Sequence, residues 1–159
     1  MIKRVYIETP LGIASITANE QGITDIIIVE NAVEEKDLEI PDFLEEAAIQ
    51  LKDYFTGDRT DFDLQLHPSG TDFQKKVWNE LSKIPYGKTV SYLDIAKRLG
   101  DPKVIRAAAT ANGKNPLWVV VPCHRVIGSD GSLTGYAGGL WRKKWLLAHE
   151  SPAKQQSLF

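Results

Sequence analysis

The stretch that decides the fold is residues 91–113, SYLDIAKRLGDPKVIRAAATANG, which carries the start and stop signals of two short helices. Ser91 is a favoured N-cap for the first helix, and Gly100 ends it. Asp101 caps the second helix, with Pro102 at the first position, where a missing N–H costs nothing. The sequence therefore predicts two short helices joined by a tight turn.

A longer helix is predicted just before this pair. Thr71 and Gln74 form the sequence pattern of a capping box. The apolar residues around them recur at helical spacing and predict one buried stripe, formed by Phe73, Val77, Trp78 and Leu81. A longer helix followed by two short ones is the layout of a helix-turn-helix.

The second short helix is rich in alanine, and only Arg106 projects far from its centre. Small side chains let a backbone approach a groove closely, but they cannot read bases in the major groove. One arginine on a slim helix suits entry into the minor groove and insertion into the base stack. A helix buried on most sides would explain the alanines equally well. This feature alone leaves both interpretations open.

The first third of the chain has the pattern of an antiparallel sheet. Runs rich in β-branched residues, separated by turn signals, predict strands over residues 2–7, 12–18 and 23–29. Residues 31–41 form an acidic connector, helical spacing predicts a helix over residues 42–55, and alternation predicts a further strand over residues 62–66. The fold class is therefore α+β, with a small sheet domain followed by a mostly helical domain.

The charge of the chain is unevenly distributed. The net charge is −2, yet residues 1–66 hold 5 Lys/Arg and 15 Asp/Glu, and residues 67–159 hold 14 and 6. Two oppositely charged surfaces explain this split, and so does a basic half that meets a polyanion. No apolar run approaches the roughly 20 residues that span a bilayer, so we expect no membrane association.

Cys123 is the only cysteine and lies in the segment VPCHRV, residues 121–126. The apolar run over residues 117–121 predicts a buried strand, which Pro122 ends because it has no N–H for a ladder. A thiol at a strand end beside His124 suits a nucleophile, although packing in a core is the plainer alternative. A single cysteine excludes an intrachain disulfide and predicts the reducing cytoplasm.

The segment PCHRV resembles the active-site motif of the O6-alkylguanine-DNA alkyltransferases, also called methylated-DNA–protein-cysteine methyltransferases. The likeness is close over about residues 70–150 and holds only in outline over the N-terminal third. Its other motifs keep the family's order and spacing: VSY at 90–92, Arg106, GKNP at 113–116, TGYAGG at 134–139 and WLLAHE at 145–150. The resemblance implies direct-reversal DNA repair, in which the alkyl group of O6-alkylguanine, or of O4-alkylthymine, moves irreversibly to Cys123. Each molecule then acts once, on a nucleotide flipped out of the duplex.

The resemblance also implies a catalytic set. Cys123 is the nucleophile and final acceptor, His124 is the base acting through a water, and Glu150 orients the imidazole. Asn115 ties the helix-turn-helix to the active-site segment, and Tyr92 donates a hydrogen bond to the leaving guanine. No cofactor or metal is implied, because the protein itself accepts the alkyl group.

The resemblance further implies a surface for double-stranded DNA with alkylated bases. Arg106 fills the gap left by the flipped nucleotide, and the other expected DNA contacts are Tyr92, Ala107, Asn112 and Arg125. From residue type alone, Arg142, Lys143 and Lys144 are expected to form a solvated helix face.

The substrate pocket implied by the resemblance comprises Val126, Tyr136, Ala137 and Gly138. The backbone carbonyls of Cys123 and Val126 would accept hydrogen bonds from the guanine amino group. Ala137 stands where some family members have a serine, so we expect tolerance of alkyl groups larger than methyl.

The expected organisation is a ribonuclease H-like α/β domain over residues 1–68, a winged-helix-like DNA-binding and active-site domain over 69–150, and a flexible tail over 151–159. The chain ends in QQSLF, Gln155–Phe159, which resembles short peptides that dock on DNA sliding clamps; an unstructured terminus is the alternative. We expect a monomer, because no apolar association stripe remains unassigned.

Other function classes fit parts of the pattern. The chain would serve as a DNA-binding regulator, or as a lesion sensor without transfer, if Cys123 were only a core residue or a sensor. A cysteine hydrolase using Cys123, His124 and Glu150 is a third class, although thiol hydrolases normally take their histidine from far along the chain.

Overall fold

The computed structural model describes residues 2–29, 42–133 and 135–151, without the side chain of Phe43. The predicted connector over 31–41, Thr134 and the QQSLF tail lie outside the described residues. The fold is α+β, as predicted. The chain divides into two compact units, the first formed by Met1–Ser69 with Pro116–Trp118 and the second by Gly70–Asn115 with Val119–Phe159.

The first unit is built on a three-stranded antiparallel sheet. Its strands are β1 (Lys3–Thr9), β2 (Gly12–Asn19) and β3 (Gly22–Val29), in that spatial order, so the predicted meander is confirmed. Helix α1 (Asp42–Thr56) packs against β1 and β2. The unit is held together by fully buried side chains that include Ile16, Leu44, Leu51 and Tyr54.

The predicted strand over residues 62–66 is wrong, because only Leu66 pairs with β3, in a single parallel bridge to Ile23. The polar groups upstream are satisfied in another way. The buried side chain of Gln50 accepts from the backbone N–H of Asp63 at 2.9 Å and donates to its carbonyl at 3.1 Å. The backbone of Asp63 is therefore bonded to a helix side chain instead of a strand.

The predicted strand over residues 117–121 is also wrong, although Leu117, Val119 and Val121 are buried. Leu117 alone makes a β-bridge, to Ile26. Val119 then adopts φ 73°, a left-handed conformation that interrupts an extended strand. The carbonyl of Val121 accepts from the side chain of Asn115 at 2.8 Å, so it has no need of a neighbouring strand.

The second unit is mostly helical. Its helices are α2 (Asp72–Leu81), α3 (Tyr92–Arg98), α4 (Ile105–Gly113) and α5 (Leu140–Glu150), with 3-10 turns at Pro102–Val104 and Cys123–Arg125. Two short strands, β4 (Val90–Ser91) and β5 (Val126–Ile127), pair in parallel. The predicted capping boxes of α2 and α3 are both formed, and Gly100 has the positive φ of 97° that ends α3. Pro102 follows the Asp101 cap as predicted, but the turn is 3-10 before α4 begins.

The alanines of α4 fall on two faces. Ala108 and Ala111 are buried, and α4 packs on α2 there; the Trp78 indole N–H donates to the Ala111 carbonyl at 2.8 Å. Arg106 and Ala107 are exposed. The small residues therefore save space on one face and leave a slim exposed face that carries one arginine.

Candidate active site

The thiol of Cys123 is free and only 3% exposed, and it opens the 3-10 turn that leads into β5. In the β4–β5 pair, Val126 lies opposite Val90. Helix α3 starts directly after β4. The pairing therefore brings the first residue of α3, Tyr92, to the segment that carries Cys123.

Asn115 fixes the chain on the N-terminal side of the thiol. It is 3% exposed, and its amide donates to the Val121 carbonyl at 2.8 Å. It also hydrogen-bonds the sulfur of Cys123, which favours the thiolate. Asn115 lies two residues after the end of α4, so its hydrogen bonds connect the end of that helix to the segment that carries Cys123.

A buried network of ionisable side chains begins at His124, the residue after the thiol. His124 is fully buried, and its Nε2 lies 2.7 Å from Oε2 of Glu150. Arg125 donates from Nε and Nη2 to the two carboxylate oxygens of Glu150 at 2.7 and 2.9 Å. Its Nη1 donates to the Ile84 carbonyl at 2.7 Å. The carboxylate is thus bound by two neighbouring residues of one turn.

The environment sets the protonation of each group. Burial raises the pKa of the Cys123 thiol to about 11, partly offset by Asn115 and by the charge of Lys143. Burial also lowers the pKa of His124, more than Glu150 raises it, so the imidazole is neutral at pH 7. Burial disfavours the charged form of Glu150, but hydrogen bonds from His124 and Arg125 outweigh it and bring the pKa to about 2. A protonated thiol therefore shares a buried cluster with a neutral base.

The second imidazole nitrogen is the available base. Because the Glu150 carboxylate is ionised, Nε2 of His124 carries the proton and donates it to the carboxylate. The lone pair is then on Nδ1, which is buried and makes no hydrogen bond with the residues that the structure describes. This nitrogen has a free acceptor site.

A cleft of about 700 Å³ lies between the helix-turn-helix and the loop before α5. Its wall includes Tyr92, Arg106, Tyr136 and Ala137 among the predicted residues, together with Ile105, Ala109, Thr110, Gly113, Lys114 and Gly135. Cys123, Val126 and Gly138 are buried and do not line this cleft. The predicted pocket residues are thus split between a cleft wall and a buried layer.

Two of the predicted DNA contacts are not available to DNA. Arg125 is 6% exposed, with its guanidinium engaged by Glu150 and Ile84. Asn112 is 3% exposed, at the buried end of α4. We correct both expectations, because a buried side chain cannot reach a phosphate or a base edge. Arg125 instead holds Glu150 in place.

The expected solvated face over 142–144 is also incorrect at its centre. Lys143 is fully buried, and its Nζ donates to the Val126 carbonyl at 2.6 Å. Sequence reasoning missed it because lysine is rarely buried. A signal was present, however: Lys143, Leu146 and Glu150 have the i, i+3, i+7 spacing of one helix face, and all three are buried.

Neither a metal site nor a membrane span is found among the residues that the structure describes. Within the described ranges, no group of three or more His, Cys, Asp or Glu side chains is placed to hold a metal ion. No helix among these residues has the length and apolarity needed to cross a bilayer.

Comparisons with known proteins agree with this arrangement. Residues 72–152 match the 6-O-methylguanine DNA methyltransferase DNA binding domain, and residues 2–68 match the ribonuclease-like domain of the same family. The chain therefore belongs to the 6-O-methylguanine DNA methyltransferase family.

Individual relatives are similar over nearly their whole length. A methylated-DNA–protein-cysteine methyltransferase of Methanosarcina acetivorans is 45% identical over 150 residues, covering 90% of this chain and 94% of that protein. The constitutive one of Bacillus subtilis is 48% identical over 139 residues, covering 82% and 84%. A crystal structure of Mycobacterium tuberculosis OGT in complex with DNA has a TM-score of 0.82 at 40% identity, covering 98% and 99% of the two chains.

Substitution of Arg125 should lower the stability of the protein, whereas the same substitution at Arg106 should leave the stability nearly unchanged. Arg125→Met should lower the free energy of unfolding by about 3–5 kcal/mol, because it removes one partner of a buried ion pair. The matched exposed change, Arg106→Met, should stay within about 0.5 kcal/mol of the wild type. Urea unfolding of both variants measures this difference. An Arg125→Met protein as stable as the wild type, with weakened DNA binding, would restore the DNA role for Arg125.

Proposed function

We propose that this protein repairs alkylated DNA by moving the alkyl group of O6-alkylguanine to its own Cys123, once per molecule. The carrying observation is the buried cluster that Cys123, Asn115, His124 and Glu150 form in the second unit. The family supports a methyltransferase that uses cysteine, and the relative crystallised with DNA supports DNA as the partner. Transfer from O4-alkylthymine belongs to the same proposal.

The chemistry is an in-line displacement at the alkyl carbon. Nδ1 of His124, with its free acceptor site, takes the thiol proton through a water, and the sulfur of Cys123 attacks. The new S–C bond forms as the C–O6 bond breaks, and the electron pair leaves with guanine. Tyr92, at the cleft wall, donates a hydrogen bond to this anion. The thioether has no route back, so no cofactor is required and no second turnover follows.

The exposed face of α4 is the proposed DNA-binding element. Arg106 and Ala107 are exposed there, and Arg106 also lines the cleft that Tyr136 and Ala137 border. A slim helix face with one long cation suits the minor groove, where the arginine replaces a nucleotide that has been flipped toward the cleft. Val126 and Gly138 form the buried layer of the pocket behind this cleft.

Intact mass spectrometry tests the central reaction. After mixing with a short duplex that contains O6-methylguanine, the protein should gain about 14 Da, mapped to Cys123 and limited to one per chain. Cys123→Ala should bind the duplex without any gain. An unchanged mass of the wild type, with tight DNA binding intact, would favour the lesion-sensing or regulatory alternative.

Ala137 is proposed to admit bulky adducts, because it lies in the cleft wall with a side chain smaller than serine. The wild type should transfer benzyl from O6-benzylguanine in DNA, and Ala137→Ser should transfer it several-fold more slowly, with methyl transfer nearly unchanged. Rates from quenched mass spectrometry measure both substrates. Equal rejection of benzyl by the two proteins would contradict this role.

The sequence QQSLF at Gln155–Phe159 is proposed to dock on a DNA sliding clamp, which would concentrate the protein on DNA. Deleting these five residues should abolish capture by an immobilised clamp and leave alkyl transfer to a free duplex unchanged. A Leu158→Ala and Phe159→Ala double variant serves as a full-length control that should fail in the same way. Clamp binding that survives both changes would assign these residues to an ordinary terminus.

A monomeric, cytoplasmic protein remains our prediction.

A further inference from the structure

The ammonium group of Lys143 is buried in the second unit, which also holds the proposed reacting groups. The side chain is 0% exposed and points inward from α5, next to Leu146 and Glu150 on the buried face. Its Nζ donates to the Val126 carbonyl at 2.6 Å. Removing an ammonium from water is costly unless nearby groups compensate. Packing alone therefore does not explain why a lysine occupies this position.

Three groups around this cation already have proposed roles. The Val126 carbonyl is the proposed acceptor for the guanine amino group, and the Tyr92 ring centre is 5.8 Å from Nζ. Val126 also closes the turn that Cys123 begins, through a hydrogen bond from its N–H to the Cys123 carbonyl, so the ammonium lies beside the turn of the nucleophile and its charge lowers the pKa of the thiol. Lys143 therefore lies near the nucleophile, near the carbonyl proposed to bind the guanine amino group, and near the tyrosine proposed to donate a hydrogen bond to the leaving guanine.

Other ionisable groups complete the surroundings of Cys123. Burial raises the pKa of Tyr136 well above its usual value, so its hydroxyl is neutral at pH 7. The imidazole of His124 is neutral, and the opposite charges of Arg125 and Glu150 are paired with each other. The positive charge of Lys143 therefore has the sign that stabilises the Cys123 sulfur as it becomes a thiolate.

We propose that Lys143 is a positioning residue of the alkyl-transfer site, which holds the Val126 carbonyl in its base-reading orientation and stabilises the Cys123 sulfur as it becomes anionic. This inference rests on the proposed function. The carbonyl oxygen has two lone pairs, so it accepts from Nζ and from a guanine amino group together. The cation remains in place and takes no part in bond making.

Two substitutions separate the two parts of this role. Lys143→Met removes the charge and the hydrogen bond but keeps an unbranched side chain only one atom shorter. Lys143→Gln removes the charge and keeps an N–H donor for the Val126 carbonyl. Lys144→Met is the matched control, because Lys144 is the exposed neighbour on the same helix. Thermal unfolding first establishes which variants are folded.

The first readout needs no DNA and is independent of the proposed function. Cys123 is the only cysteine, so its rate of alkylation by iodoacetamide reports on the thiolate directly. Across pH 6–10, both Lys143 variants should react about tenfold more slowly at neutral pH, as a shift of one pKa unit would give. The Lys144→Met control should follow the wild-type profile. A folded Lys143→Gln or Lys143→Met protein with the wild-type profile would overturn the electrostatic part.

The second readout compares two duplexes, one with O6-methylguanine and one with O6-methylhypoxanthine, which lacks the 2-amino group. The wild type and Lys143→Gln should prefer guanine, whereas Lys143→Met should lose most of this preference. An unchanged preference in Lys143→Met would overturn the carbonyl-holding part. No transfer by the wild type would instead disprove the proposed function, while the iodoacetamide result for Lys143 would stand.

Discussion

The carboxylate of Glu150 occupies a buried site at the end of α5, where it accepts hydrogen bonds from Arg125 and His124. A buried carboxylate is strongly destabilising unless it is paired and fully hydrogen-bonded. The second unit therefore reaches low free energy only when the end of α5 meets the turn that carries Cys123. The further bond from Arg125 to the Ile84 carbonyl ties the residues after α2 to the same point. The arrangement of the reactive groups follows from this one ion pair.

The constraint has a chemical consequence. Because Arg125 and His124 keep Glu150 ionised, the imidazole proton is held on Nε2 and the lone pair on Nδ1. Burial keeps His124 a neutral base at pH 7 although it lies beside an anion. Asn115 hydrogen-bonds the thiol of Cys123 and is anchored through the Val121 carbonyl. The nucleophile therefore lies among groups whose positions depend on buried hydrogen bonds.

Local signals were read correctly from the sequence, and long-range ones were not. The caps at Thr71 and Ser91 need partners only three residues away, so the helices that they begin could be predicted. The resemblance implies a DNA contact for Arg125, whereas the side chain is buried, and its burial depends on a carboxylate 25 residues further along. Residues 117–121 have the composition of a strand, but the backbone of Val119 and the side chain of Asn115 decide otherwise. The family motif identified Cys123, His124 and Glu150 as a set, whereas Lys143 was assigned to the solvent-exposed face.

The tautomer of His124 is the most direct test of this account. The chain has three histidines, so a ¹⁵N spectrum of the imidazoles, assigned with a His124→Gln variant, resolves the one of interest. We expect a neutral ring at pH 7, with Nε2 protonated and Nδ1 bearing the lone pair, because burial lowers the pKa of His124. A ring protonated on both nitrogens, or a proton on Nδ1 alone, would contradict the assignment of His124 as the base that activates Cys123.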